Sequence, residues 1–245
     1  MRLSQAWIVA RHDMQLLRQR RGIFLGLIAM PLGIGLGFPA FVGLVLLPRG
    51  GPNPASWAPM FIEAFAFWFV IGAASLPTSI ASYSIVGEKV SKSLEPLLST
   101  PTTDGEILLG KAMAALVPTL AAMWVGALLF QVLIDLETVG PFGYLFYPNW
   151  QMVVELFVTM PVVALVAIEA SVVISSRVTD VRTAQQYAGV IFVPMIFVYV
   201  AAEVALPLTA LNLLGLSAVF GIVALALYWV SVKAFRRDEI LTRWK

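Results

Sequence analysis

The stretch Ala112–Ile134, AMAALVPTLAAMWVGALLFQVLI, runs for 23 residues without one charged side chain. A hydrocarbon core of about 30 Å takes about 20 residues at about 1.5 Å each, so this run is long enough to cross a bilayer. Its backbone polar groups find no water in lipid, and the apolar–polar alternation of a barrel strand is missing, so the crossing is predicted to be α-helical. Working outward, four more uncharged runs cover residues 22–48, 64–87, 183–202 and 204–232, and a sixth apolar stretch, 152–176, is interrupted only by Glu155 and Glu169. The predicted fold class is therefore all-α, a polytopic membrane protein with six transmembrane helices.

The cationic residues give the orientation. Five precede the first span, one lies in the first loop, three in the second, none in the third, two in the fourth, none in the fifth and five after the last span. The odd loops hold only Arg49 and the termini with the even loops hold the other 15, which predicts that both termini face the cytoplasm. This fits a multi-pass protein of the plasma or inner membrane.

Composition agrees, with 60% hydrophobic residues, 12% charged residues and a mean hydropathy of +0.88, far from a soluble domain. The net charge of +2 is then no sign of nucleic acid; the basic residues are orientation signals and contacts to membrane lipids. With no cysteine, disulfides and thiol-ligated metals are excluded. The only histidine is His12, no span interior holds Asp, and nothing resembles a Ser-His, HExxH or paired-aspartate arrangement, so neither a catalytic nor a metal site is expected. One membrane domain, residues 1–245, accounts for the chain, and the first span reads as retained rather than as a cleaved signal.

Ahead of that span, Leu3, Trp7, Ala10, Met14 and Leu17 recur at spacings of four and three, with Arg2, Gln5, Arg11, His12 and Arg18 around the remaining circumference. Residues 1–21 are thus expected to form an amphipathic helix in the cytoplasmic headgroup layer, with Trp7, Arg11, Met14 and Arg18 as its interfacial residues. The first span itself carries MPLGIGLGFP, in which Pro31, Pro39 and alternate glycines invite a kink or close helix contact. Trp57, Phe142, Tyr144, Phe146, Tyr147 and Trp150 at outer span ends are expected to form an interfacial belt. The run 204–232 is 29 residues long, about nine more than one crossing needs. Residues near 200–212 are expected to fold back as short re-entrant helices on the outer side.

Gly105–Ala112, GEILLGKA, nearly spells a phosphate-binding loop, but Ala112 stands where Ser or Thr must hold magnesium, and the motif needs a preceding strand. Residues 85–111 are also too few for a domain of at least about 50, so no nucleotide-binding domain is expected and Lys111 marks the inner membrane boundary. A carboxylate at mid-membrane costs about 3 kcal/mol, against about 5 recovered by the apolar residues of this span. Two central carboxylates would nearly cancel insertion, so Glu155 is expected at the outer boundary and Glu169 deeper. The 14-residue separation places both on one helix face with Thr159. For Glu169 and Thr159 two readings stand side by side, a polar contact between helices and a place in a translocation path; Glu63 and Glu203 read as interfacial.

The segment Glu88–Lys111, EKVSKSLEPLLSTPTTDGEILLGK, is a cytoplasmic loop expected to hold a short amphipathic helix with Leu94, Leu97 and Leu98 on one side. Its leucines need cover, either the headgroups and the N-terminal helix or a cytosolic partner. Glu88, Lys89, Leu94, Glu95, Leu97, Leu98, Thr100, Pro101, Ile107, Gly110 and Lys111 together resemble the permease subunit of type-2 ABC transporters. The amphipathic N-terminus, six-span layout and basic C-terminus extend the likeness over essentially the whole chain. Lys92 and Ser93 depart from the Gly-Thr pair common in that family, and Pro96 follows Glu95.

The resemblance implies a transmembrane permease subunit of an exporter, acting with a second permease copy or a homologous permease. It also implies separate ABC ATPase subunits that dock on Glu88, Lys89, Leu94, Glu95, Leu97, Leu98, Thr100 and Pro101 in the 85–111 coupling loop. ATP and magnesium would then be cofactors of the partner and none would belong to this chain. The alternative is a membrane scaffold or assembly subunit that does not transport.

Overall fold

The computed structural model describes residues 3–90, 102–178, 180–206 and 209–234. An N-terminal helix, α1 (Leu3–Gln19), turns at Arg20 into α2 (Arg21–Phe41), whose helical path continues through a π-helical segment, Val42–Leu46, to Arg49. Then follow α3 (Ala58–Val90), α4 (Asp104–Phe142), α5 (Trp150–Val154, a π segment Glu155–Thr159, and Met160–Arg177), α6 (Val181–Ala205) and α7 (Ala210–Ala234). No strand occurs among the described residues. The chain is an all-α polytopic membrane protein. Five of its helices, α2 to α5 and α7, are long and apolar enough to cross a membrane, and α6 holds a shorter apolar stretch, Val193–Ala202.

α5 lies at the centre: 61% of its apolar window is buried, against 22% for α7 and 28% for α2, which face outward along most of their length. One core cluster joins α2, α3, α4 and the start of α5 around Phe69, Met123, Phe130 and Ile134. A second joins α1 to the opposite end of the bundle through Leu17, Ile107, Leu108 and Ile168, and a third packs α3 and α5 on α6 and α7 around Val163, Tyr199 and Phe220.

The glycine-rich first span makes a close helix contact. A Cβ on Gly35 would run into the backbone of Gly126 in α4, and one on Gly126 would lie 2.6 Å from the Pro31 carbonyl oxygen, so only glycine at both positions lets the two backbones approach this far. Gly33 and Gly37 have nothing near them.

Two expectations change. α6 continues through residue 205, its last turn is followed by extended Leu206, and α7 begins at Ala210. Among the described residues near 200–212 there is no separate re-entrant helix, because the apolar surplus extends α6 instead. The outer aromatic residues also divide. Trp150 and Tyr144 are exposed as a belt requires, but Phe142 and Tyr147 are buried and Phe146 half-buried. The last two stack edge to face 4.8 Å apart, with Tyr147 also against Phe130. Burying such rings against each other removes more apolar area from solvent than an interfacial position does.

Candidate functional site

Both ends of the coupling segment are carried on long helices, and the stretch 91–103 between them is called the elbow. Residues 85–90 continue α3, and Asp104–Lys111 are already the first two turns of α4. Leu94, Glu95, Leu97, Leu98, Thr100 and Pro101 lie outside the described residues; the backbone of Glu88 and Lys89 is helical, and their side chains are outside the description.

The elbow re-enters the bundle through a capping box. The Glu106 N–H donates to Thr103 Oγ1 (3.3 Å) and the Thr103 N–H donates to Glu106 Oε2 (3.0 Å), satisfying two otherwise open donors at the start of α4. GEILLGKA is thus helix from its first residue, Thr102 and Thr103 before it are not in a strand, and its Gly110 serves packing. A Cβ there would meet the Ala6 carbonyl oxygen at 2.6 Å and Val9 Cβ at 2.7 Å.

α1 lies across α4 at this point. Ala6, Val9, Ala10 and Leu17 are buried, and Asp13 Oδ2 accepts from Lys111 Nζ at 3.5 Å, the ammonium fully enclosed. Leu3, Trp7 and Ile8 remain exposed on another side, Arg11 is exposed and Met14 half-buried; the Arg18 side chain is outside the description. The expected single stripe is therefore two apolar surfaces, one of small residues against α4 and one of larger residues facing away. Small side chains won the inner surface because the backbones cross closely at Gly110.

On the other arm of the elbow, Ser175 of α5 enters the backbone ladder of α3. Its hydroxyl donates to the Ser82 carbonyl (2.9 Å) and accepts from the Val86 N–H (3.2 Å), the two groups that an α-helix joins directly. A side chain placed this way marks a bending point.

Further along α5, both predicted pathway residues face α7. Glu169 is buried and accepts from Ser231 Oγ (2.9 Å), and Thr159 is buried with its hydroxyl 2.8 Å from that of Ser217. These contacts form a polar seam between α5 and α7. The π segment carries a separate contact, to α4: Pro161 has no N–H for the turn before it, and the Trp124 indole of α4 donates to the Leu156 carbonyl (3.0 Å).

At the opposite end of the bundle from the elbow, a shallow cleft opens between the starts of α3, α5 and α7. Its polar lining is Glu63, Tyr147, Asn149, Gln151 and Glu155. Glu155 lies at this end of α5 and is buried, and Glu63 is half-buried in the cleft wall rather than in an interfacial ring. The loop carrying Tyr147 is fastened by Asp135 of α4, whose Oδ1 accepts from the N–H groups of Phe146 and Tyr147, both at 2.9 Å. Asn149 caps α5 by accepting from the Met152 N–H (2.8 Å). Neither Asp135 nor the cleft was singled out from sequence: the partners of Asp135 are backbone amides, and Glu63 and Glu155 are brought together only by the fold. Burial pushes the Tyr147 phenol well above its ordinary range, and the nearby Glu155, Glu63 and Asp135 carboxylates push it the same way.

A helical bundle with long apolar spans and a polar seam within is the build of a multi-pass membrane protein. Residues 7–215 match the ABC-2 family transporter proteins, and since that is most of the 245 residues the chain belongs to this family: it is a membrane permease of an ABC transporter. None of the curated proteins matches the chain significantly.

Proposed function

We propose that this chain is the permease half of an ATP-driven exporter in the plasma or inner membrane. It would work beside a second copy or a homologous permease and be driven by separate ABC ATPase subunits that hold ATP and magnesium. Docking falls on Glu88, Lys89 and the 94–101 segment. The observation that supports this best is the way both arms of the elbow are tied to the bundle. α4 is clamped to α1 at Gly110 and Lys111–Asp13, and α3 is joined to α5 through Ser175. A push on the elbow then reaches α5 and its seam with α7, instead of being absorbed locally. Trp7, Arg11, Met14 and Arg18 give α1 its membrane-facing contacts in this reading, and Glu169 and Thr159 serve the seam that must slide or open.

The test is reconstitution in proteoliposomes with the co-purifying ATPase. Leu97→Glu and Leu98→Glu should leave the permease folded and abolish substrate-stimulated ATP hydrolysis and export. Unaltered export in both variants would overturn the coupling role, and an ATPase that binds normally but never drives flux would favour the assembly-subunit alternative.

A further inference from the structure

We propose that the outer cleft between α3, α5 and α7 binds a primary ammonium group, held between the carboxylates of Glu63 and Glu155 with the Tyr147 hydroxyl oxygen as third acceptor. This inference does not depend on the direction of transport or on the elbow. Tyr147 is 3% exposed, its ring fixed by Phe130 and Phe146, and its hydroxyl lines the cleft without a hydrogen-bond partner. A buried hydroxyl left unsatisfied is unfavourable, and in a native structure it calls for a partner. Burial first, and the surrounding carboxylates after it, keep that phenol neutral, so its oxygen offers lone pairs rather than a charge.

Charge decides the sign of the ligand. No Lys or Arg is among the residues lining the cleft, so an anion would meet two carboxylates in a site partly shielded from water, where like charges repel most strongly. Donor count decides its kind. An ammonium carries three N–H donors, one for each carboxylate and one for the phenol oxygen, whereas the Asn149 side-chain oxygen is already engaged by the Met152 N–H. A metal ion fits poorly, because no group of three His, Asp or Glu donors able to hold one occurs among the described residues. Ala66, Met152 and Leu213 supply apolar walls for a short alkyl part. The cleft is open on one side, so an aminoalkyl group can enter ammonium first with its chain toward the mouth. That group is either a free amine or the headgroup of an aminophospholipid from the outer leaflet.

The full-length protein in phosphatidylcholine nanodiscs is titrated with n-butylammonium by isothermal calorimetry, with butyltrimethylammonium and n-butanol as controls. Saturable binding of butylammonium is expected. Affinity should be at least about tenfold weaker for the trimethylated probe, which has no N–H, and undetectable for the alcohol. Glu63→Gln and Glu155→Gln should each weaken butylammonium about tenfold and Tyr147→Phe several-fold. If Glu155→Gln does not fold, Glu63→Gln and Tyr147→Phe still read the site, since one changes a half-buried side chain and the other removes a single oxygen. Replacing part of the phosphatidylcholine by phosphatidylethanolamine assigns the source: weaker apparent butylammonium binding identifies the lipid headgroup as occupant, and unchanged binding identifies a free amine. Absence of saturable binding to the wild-type protein, equal binding of butanol, or full affinity in Glu63→Gln would overturn the proposal.

Discussion

A methyl group at position 110 has no room, because the nearest atoms belong to the α1 backbone and to Val9 rather than to the end of a flexible side chain. Gly110→Ala should therefore lift α1 from α4 and cost about 1–3 kcal/mol, seen as a lower melting temperature in detergent and faster proteolysis at Arg11. Beside it, the enclosed Lys111 ammonium and Asp13 should be coupled. A double-mutant cycle of Asp13→Ala and Lys111→Met should give an interaction energy of about 0.5–3 kcal/mol, and additive single effects would show the pair to be incidental. Asp180 behaves differently because it is exposed. Its carboxylate is held below the ordinary 3.8, chiefly by the Thr183 N–H. The folded value is depressed, so the cap's contribution is present above the unfolded value and is lost as pH falls through the folded one. Loss of amide protection at Thr183, measured as exchange relative to the intrinsic rate at each pH, should appear only below about pH 4, with the protection factor constant between about pH 5 and 8.

Two elements share a device at the scale of the helix. The π segment Val42–Leu46 ends two residues before Pro48 and the π segment Glu155–Thr159 ends two residues before Pro161. In each case the widened turn relieves the clash and the missing N–H that proline brings to the turn before it. Trp124→Phe keeps the ring but removes the donor to the Leu156 carbonyl, and should cost about 1 kcal/mol in thermal stability. Ser175→Ala should change stability little, since Val86 N–H and the Ser82 carbonyl can then meet directly. It should nevertheless reduce export per ATP hydrolysed by untying α3 from α5 next to the elbow, and unchanged coupling would deny Ser175 any mechanical part. Uncharged runs identified the spans but not the lengths of the helices. α4 has 39 residues where its uncharged run has 23, because Asp104, Glu106, Lys111, Asp135 and Glu137 belong to the helix beyond the lipid or in contact with other elements. Charge spacing reads where lipid is, and the capping box at Thr103 reads where the helix begins.

At the scale of the whole molecule, the absence of native cysteine makes orientation directly testable. Single cysteines at Ser56 or Tyr144 should react with an impermeant maleimide in intact cells, and cysteines at Asp180 or Arg182 only after permeabilisation. The reverse pattern would invert the assignment. That the apolar spans could be read from sequence follows from the one-dimensional nature of lipid insertion, in which each segment is selected by its own composition. The cleft could not be read this way, since Glu63, Tyr147 and Glu155 come from different segments and are joined by tertiary packing. The two faces of α1 were likewise hidden, because which residues meet protein and which meet lipid depends on where Gly110 lets α4 come close. α4 is helical without interruption from Asp104 to Phe142, and from Lys111 to Asp135 the rise is about 36 Å at about 1.5 Å per residue. Pro118 lies within that stretch, yet the helical path is unbroken and links its two ends mechanically. Rotation imposed next to α1 must therefore swing the Asp135 anchor and the loop it holds, and an occupant seated beside Tyr147 must in return resist movement at the far side of the membrane, with no messenger needed between them.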